Sequence, residues 1–126
     1  MSYVDVAVIP VPNDKVEDYK KMAKAGAKAW IKHGALHYYE AVGDDVAKGK
    51  VTDFYRSVKC KEGETVAVSV VITKNRKHRD EVMKKVMSDP ALAASMKDMP
   101  FDGKRMIFGG FKPFVELEGK EPAAAK

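Results

Sequence analysis

Glu40 is the side chain whose type and setting in this sequence most invite chemistry. Alternation along residues 36–42 puts it on one strand face with Leu36, Tyr38 and Val42, an otherwise apolar set. A carboxylate there must be paired, reach water or rise in pKa, and a raised pKa suits a general acid or base. Tyr38 shares that face, so Glu40 and Tyr38 are the candidate catalytic pair. The structural alternative is an ion pair of Glu40 with Arg105 or Arg56, or a place at a sheet edge. That alternative carries more weight, because charges inside proteins are mostly paired.

Arg105 follows Lys104 directly after an Asp102-Gly103 turn. Its guanidinium can hold a ligand carboxylate or phosphate in bidentate fashion, so Tyr38, Glu40 and Arg105 form the expected ligand-binding set. Against this, Arg105 can equally hold Asp102, Glu40 or the Asp44-Asp45 pair and fix a dimer. Adjacent carboxylates in a Gly-flanked segment read as a turn before they read as metal ligands. His33 and His37 are four residues apart, but Gly34 separates them and no Glu or Cys sits at a matching spacing. No metal and no cofactor is expected. His78 stands in the first turn of a helix, where capping suits it better than catalysis. Lys59 and Lys61 flank Cys60 and can lower its pKa, but no partner base or resolving thiol accompanies it.

The elements that must position these groups follow from hydrophobic period. Residues 3–9 alternate as a first strand ended by Pro10-Val11-Pro12, and Asn13 or Asp14 caps a helix with Val16, Tyr19, Met22, Ala23, Gly26, Ala27 and Trp30 on one face. Gly34 stops that helix, and residues 36–42 form a second strand. The stretch 44–63 is weakly patterned, with one short extended piece around 51–58. Residues 65–72 are apolar on both faces and β-branched, the clearest strand in the chain. Asn75 caps a further helix with Val82 and Val86 inside, and Asp89-Pro90 starts a short one anchored by Leu92 and Met96. A fourth strand runs from about 105 to 117, with Gly109-Gly110 marking a close backbone approach.

The order β-α-β-β-α-β predicts an α+β fold, a ferredoxin-like sandwich whose four-stranded antiparallel sheet carries its helices on one face. Residues 1–117 are expected as one domain and 118–126 as a flexible tail. An open sheet face that is apolar calls for a cover, and the economical one is a second copy. A homodimer forming a dimeric α+β barrel is therefore expected.

Four motifs carry a resemblance: Gly34-Ala35-Leu36-His37-Tyr38-Tyr39-Glu40, Gly43-Asp44-Asp45-Val46, His78-Arg79-Asp80, and Met99-Pro-Phe-Asp-Gly-Lys-Arg-Met-Ile-Phe-Gly-Gly-Phe111. With these the chain resembles the YbaA-like bacterial family of unknown function, across nearly its whole length. The resemblance implies a dimeric α+β barrel fold and supplies no activity, cofactor or catalytic residue. Ala41 stands where Cys is expected in many relatives, so no thiol chemistry is implied there.

Composition sets the remaining bounds. The chain has 126 residues, 45% hydrophobic and 33% charged, with a net charge of +5, which fits an ordinary globule and permits a polyanion partner without requiring one. No apolar run reaches membrane-spanning length, and a lone Cys60 with no exporting signal fits the cytoplasm. RNA-recognition domains share this element order but stack bases on aromatics of the first and third strands, and residues 67–72 contain none. Acylphosphatase-like chemistry needs a phosphate-cradling loop after the first strand, where Pro10 and Pro12 lack N–H groups. The expected function is binding of a small apolar or aromatic molecule, one version being a cofactor-independent enzyme. The alternatives are a non-catalytic binding or stress-related protein, and a weak RNA or polyanion binder.

Overall fold

Alternating valines drive strand β1 (Tyr3–Pro12) into the middle of the sheet in a computed structural model that describes residues 1–121. Helix α1 (Val16–Lys32), strand β2 (His37–Val42), the short helix α2 (Phe54–Ser57), strand β3 (Glu64–Thr73), helices α3 (Arg76–Met87) and α4 (Pro90–Ser95), and strand β4 (Ile107–Phe111) follow. The strands lie in the order β2-β3-β1-β4, and every neighbouring pair is antiparallel. This is the ferredoxin-like βαββαβ sandwich expected from the element order.

One face of the sheet lies under the helices. Ile9, Val11 and Ala67 pack on Tyr19 and Ala23 of α1, while Val71 meets Ala29, Val82, Val86 and Leu92. Val11 and Val86 are wholly buried, and each such side chain contributes roughly 1.5–3 kcal/mol relative to exposure. On the other face, Val8 and Val66 are covered by Val58, with Val46, Tyr55 and Cys60 beside them, so the 44–63 connection folds back over the sheet. Further along that face, Val4, Val6, Val70 and Ile72 are half-buried, and Tyr39, Ile107 and Phe111 are exposed.

Several boundaries differ from the expectation for physical reasons. β1 continues through Pro10 and Pro12, because β4 pairs only Val4 to Val8 and the strand is an edge beyond that point. Asn13 and Asp14 do not cap α1. They belong to a 3-10 turn whose Asn13 amide donates to the Gly63 carbonyl at 2.9 Å, and Lys15 holds the cap position without a side-chain bond. The extended piece around 51–58 is instead helical: Asp53 accepts from the Arg56 amide at 2.8 Å and nucleates α2. β4 begins at Ile107 rather than 105 because a 3-10 turn occupies Gly103–Arg105, and it ends at Phe111 rather than 117 because Phe111 already pairs with Val4, near the start of β1.

Other end signals act as read. Gly34 takes φ 118°, and the Ala35 amide reaches back to the Trp30 carbonyl at 2.9 Å, closing α1. Asn75 and Asp89 cap α3 and α4 by accepting from the His78 and Ala91 amides. Gly110 lies under the Tyr3 ring, where an added Cβ would stand 2.6 Å from Tyr3 Cε2. Of the expected tail, residues 122–126 lie outside the described residues. Before it, Glu116 accepts from the Ser2 amide at 2.9 Å.

Candidate functional site

Strand alternation on β2 turns Tyr38 and Glu40 toward the helices, and the helical period of α1 brings Tyr19 over them. The Tyr19 hydroxyl donates to Glu40 Oε2 at 2.7 Å, and the Tyr38 hydroxyl donates to Oε1 at 2.8 Å. Both carboxylate oxygens are thus held by phenols rather than by an arginine. Burial and the neighbouring Glu40 charge push the Tyr19 and Tyr38 hydroxyls well above the ordinary tyrosine range, so both remain protonated donors. Beside them a groove of about 300 Å³ opens between α1 and β2, its wall formed by Val16, Ala23, Ala27 and Val42, with Lys20 and Lys24 at its rim.

Arg105 is not part of this cluster. Its guanidinium grips Glu64 through two bonds of 2.7 and 2.8 Å, and also donates to Asp102 at 3.0 Å and to the Lys59 carbonyl at 2.9 Å. Of the alternatives weighed for Arg105, Asp102 is a partner, while Glu40 and the Asp44-Asp45 pair are not. The bidentate arginine holds the Glu64 carboxyl down to about 2. Arg56 pairs with Asp53 rather than Glu40, with Nε and Oδ2 3.8 Å apart.

The remaining candidates are dispersed. His33 Nε2 bonds Asp89 Oδ2 at 2.8 Å and ties the end of α1 to the start of α4. His37 stacks on Tyr39 on the open face. His78 accepts from the Lys74 amide at 2.9 Å and so serves in the cap of α3. Asp44 and Asp45 are exposed in their turn. Among the described residues, no three His, Cys, Asp or Glu side chains gather into a metal site. Cys60 departs from expectation: burial, then the Glu64 charge, raise its thiol pKa and outweigh the lowering effect of Arg105.

Tyr19 lies on the inner face of α1 as the helical period predicts, and it has a second role as a donor to Glu40 that the period alone does not show. The signal for its second role was a phenol facing a strand that carries Glu40. Arg79, within the His78-Arg79-Asp80 motif, turns inward with only 14% of its side chain exposed and meets Asp5 Oδ1. An aspartate in a valine-rich strand was the visible sign of that pair.

A sequence model of the family described as "Protein of unknown function (DUF1428)" matches residues 2–103. The chain belongs to this family. Uncharacterized protein YbaA of Escherichia coli is 43% identical over 116 residues, which cover 92% of this chain and 99% of that protein, and the YbaA of Shigella flexneri matches to the same extent. Among solved structures, a NIPSNAP-like domain protein from Burkholderia xenovorans superposes with a TM-score of 0.60 at 10% identity, covering 96% of this chain and 92% of its own. SnoaB, a cofactor-independent oxygenase from Streptomyces nogalater, superposes with a TM-score of 0.57 at 12% identity over 94% of this chain and 98% of its own. At such identities the DUF1428 chain shares a fold with these proteins and nothing more is implied.

Proposed function

We propose that this DUF1428 protein binds a small apolar or aromatic molecule in the groove between α1 and β2, as a homodimer. The carrying observation is Glu40, whose two oxygens are each engaged by one phenol at the wall of an apolar groove. Each oxygen keeps a further lone pair, so the carboxylate can accept a hydroxyl or N–H from a ligand whose body fills the space beside Ala23, Ala27 and Val42.

Binding without chemistry is the reading favoured over catalysis. A general base must take a proton, and the Glu40 carboxylate is held by two phenols that themselves stay protonated, with no second proton carrier bonded to it among the described residues. A cofactor-independent reaction, of the broad kind named for SnoaB, is the version in which a substrate gives its proton to one of those free lone pairs. The homodimer rests on the open face, where Tyr39 is 60%, Ile107 45% and Phe111 58% exposed beside half-buried valines. Two such faces laid together would enclose a barrel.

The test is titration with 2-naphthol, followed by backbone amide NMR. Shifts confined to Ala23, Ala27 and Val42, abolished by Ala27→Leu and weakened by Glu40→Gln, support the reading. A folded Ala27→Leu variant that binds as well as the parent overturns it.

A further inference from the structure

Helix α1 carries a lysine at every turn along one ridge: Lys20, Lys24, Lys28 and Lys32. Like charges at four-residue spacing repel, so each of them gains from a nearby anion. Lys20 has Glu17 at 3.1 Å, and Lys32 lies 3.7 Å from Asp89. Among the described residues, Lys24 stands between these pairs with no carboxylate within ion-pair distance.

That ridge borders the groove between α1 and β2, and Lys20 and Lys24 both line it. Glu40 lines it from the β2 side, and its bonds go to Tyr19 and Tyr38. Among the described residues, no lysine is paired with Glu40, so the two signs of charge at this groove do not neutralise one another. The groove therefore has two poles, an acceptor on its strand side and ammonium groups on its helix side, joined by the apolar wall of Val16, Ala23, Ala27 and Val42. A neutral phenol uses the first pole alone. An anion with no donor meets the Glu40 charge and gains nothing from it.

We infer that the groove takes an aromatic hydroxy acid, whose hydroxyl donates to Glu40 and whose carboxylate pairs with Lys24 and Lys20. This rests on the reading of the groove as a small-molecule site and adds the anionic group to its ligand. A rigid planar body lying along the apolar wall holds the carboxylate away from Glu40. The lysine rim is open to water, with the Lys20 side chain 55% exposed, so the ion pair contributes modestly and is sensitive to salt.

The test compares 2-naphthol with 6-hydroxy-2-naphthoate on the intact protein at pH 7, where the second ligand is a carboxylate with a neutral hydroxyl. At low salt the hydroxy acid should bind about fivefold more tightly, as one exposed ion pair allows. In 1 M salt, where charges are screened beyond about 3 Å, that ratio should fall toward one. Lys24→Gln should lower it likewise, whereas Lys21→Gln, which removes the same charge from α1 outside the groove lining, should keep most of it. 6-Methoxy-2-naphthoate, charged but without the donor, should bind several-fold more weakly than the hydroxy acid. The inference is overturned by a ratio of one or less at low salt, by a ratio that Lys24→Gln leaves intact or that Lys21→Gln lowers equally, or by equal binding of the methoxy and hydroxy acids. In each of those cases, 2-naphthol binding that is lost in Ala27→Leu still upholds the groove as a site. Binding of neither ligand overturns both.

Discussion

Tyr19 on α1 and Glu40 on β2 meet at 2.7 Å across 21 positions of sequence, and this bond, with the parallel one from Tyr38, fixes how the helix lies over the edge strand. A carboxylate satisfied by two neutral phenols is held in place without a compensating cation. The pair therefore serves two ends at once, locking α1 to the sheet and presenting a negative oxygen to the groove.

Removing a donor tests the locking role. Tyr19→Phe leaves Glu40 Oε2 without its partner and is expected to cost about 1–3 kcal/mol, seen as a lower urea midpoint with an unchanged slope. Tyr38→Phe should behave alike. Because both phenols share one acceptor group, the double variant should not be the sum of the singles.

Alkaline titration tests the electrostatics. The Tyr19 and Tyr38 pKa values are raised in the folded protein, so their stabilising effect is complete below the ordinary tyrosine pKa of about 10 and is lost as pH climbs above it. Absorbance at 295 nm should show two tyrosines that ionise only on unfolding. In Glu40→Gln, with the negative neighbour gone, they should ionise at lower pH.

Acid acts through a different pair. Glu64 is held at about 2 by Arg105, against 4.5 for the free side chain, so its contribution is present above about pH 4.5 and disappears as pH falls toward 2. Melting temperature should drop across that window. Glu64→Gln should start lower at neutral pH and flatten the acid limb. The mutated protein retaining the parent's acid slope would assign that slope to other carboxylates.

The adjacent glycines of β4 should respond unequally. Gly110→Ala drives a methyl into the Tyr3 ring, which also carries Arg79, and overpacking of this kind costs about 1–3 kcal/mol. At Gly109 an added Cβ meets only Phe111 at 3.6 Å, an ordinary contact, so Gly109→Ala should leave thermal stability of the monomer nearly unchanged. Parallel melts of the two variants decide this.

Much of the fold was legible because it is written in local pattern. Alternation in β1, the β-branched apolar run of β3, the Gly34 stop, and the caps at Asn75 and Asp89 depend on near neighbours, and each appears where its chemistry puts it. Partners were harder to read, since they come from distant strands. Glu40 was visible as an odd carboxylate on an apolar face, but only the packing of α1 supplies Tyr19. Arg105 has a carboxylate partner as weighed in Asp102, yet its strongest one is Glu64, on a strand 41 residues away, which no spacing rule points to. Asp53 overrode the extended pattern at 51–58 because one cap bond outweighs a weak alternation.

Native mass spectrometry of the protein purified from its own source tests the central claim most directly, since it reports assembly and retained ligand in one spectrum. The account predicts two chains together with one small organic mass per groove, and a dimer stripped of that mass in Ala27→Leu. A bare monomer from the unmodified protein, or an identical spectrum from Ala27→Leu, would contradict it.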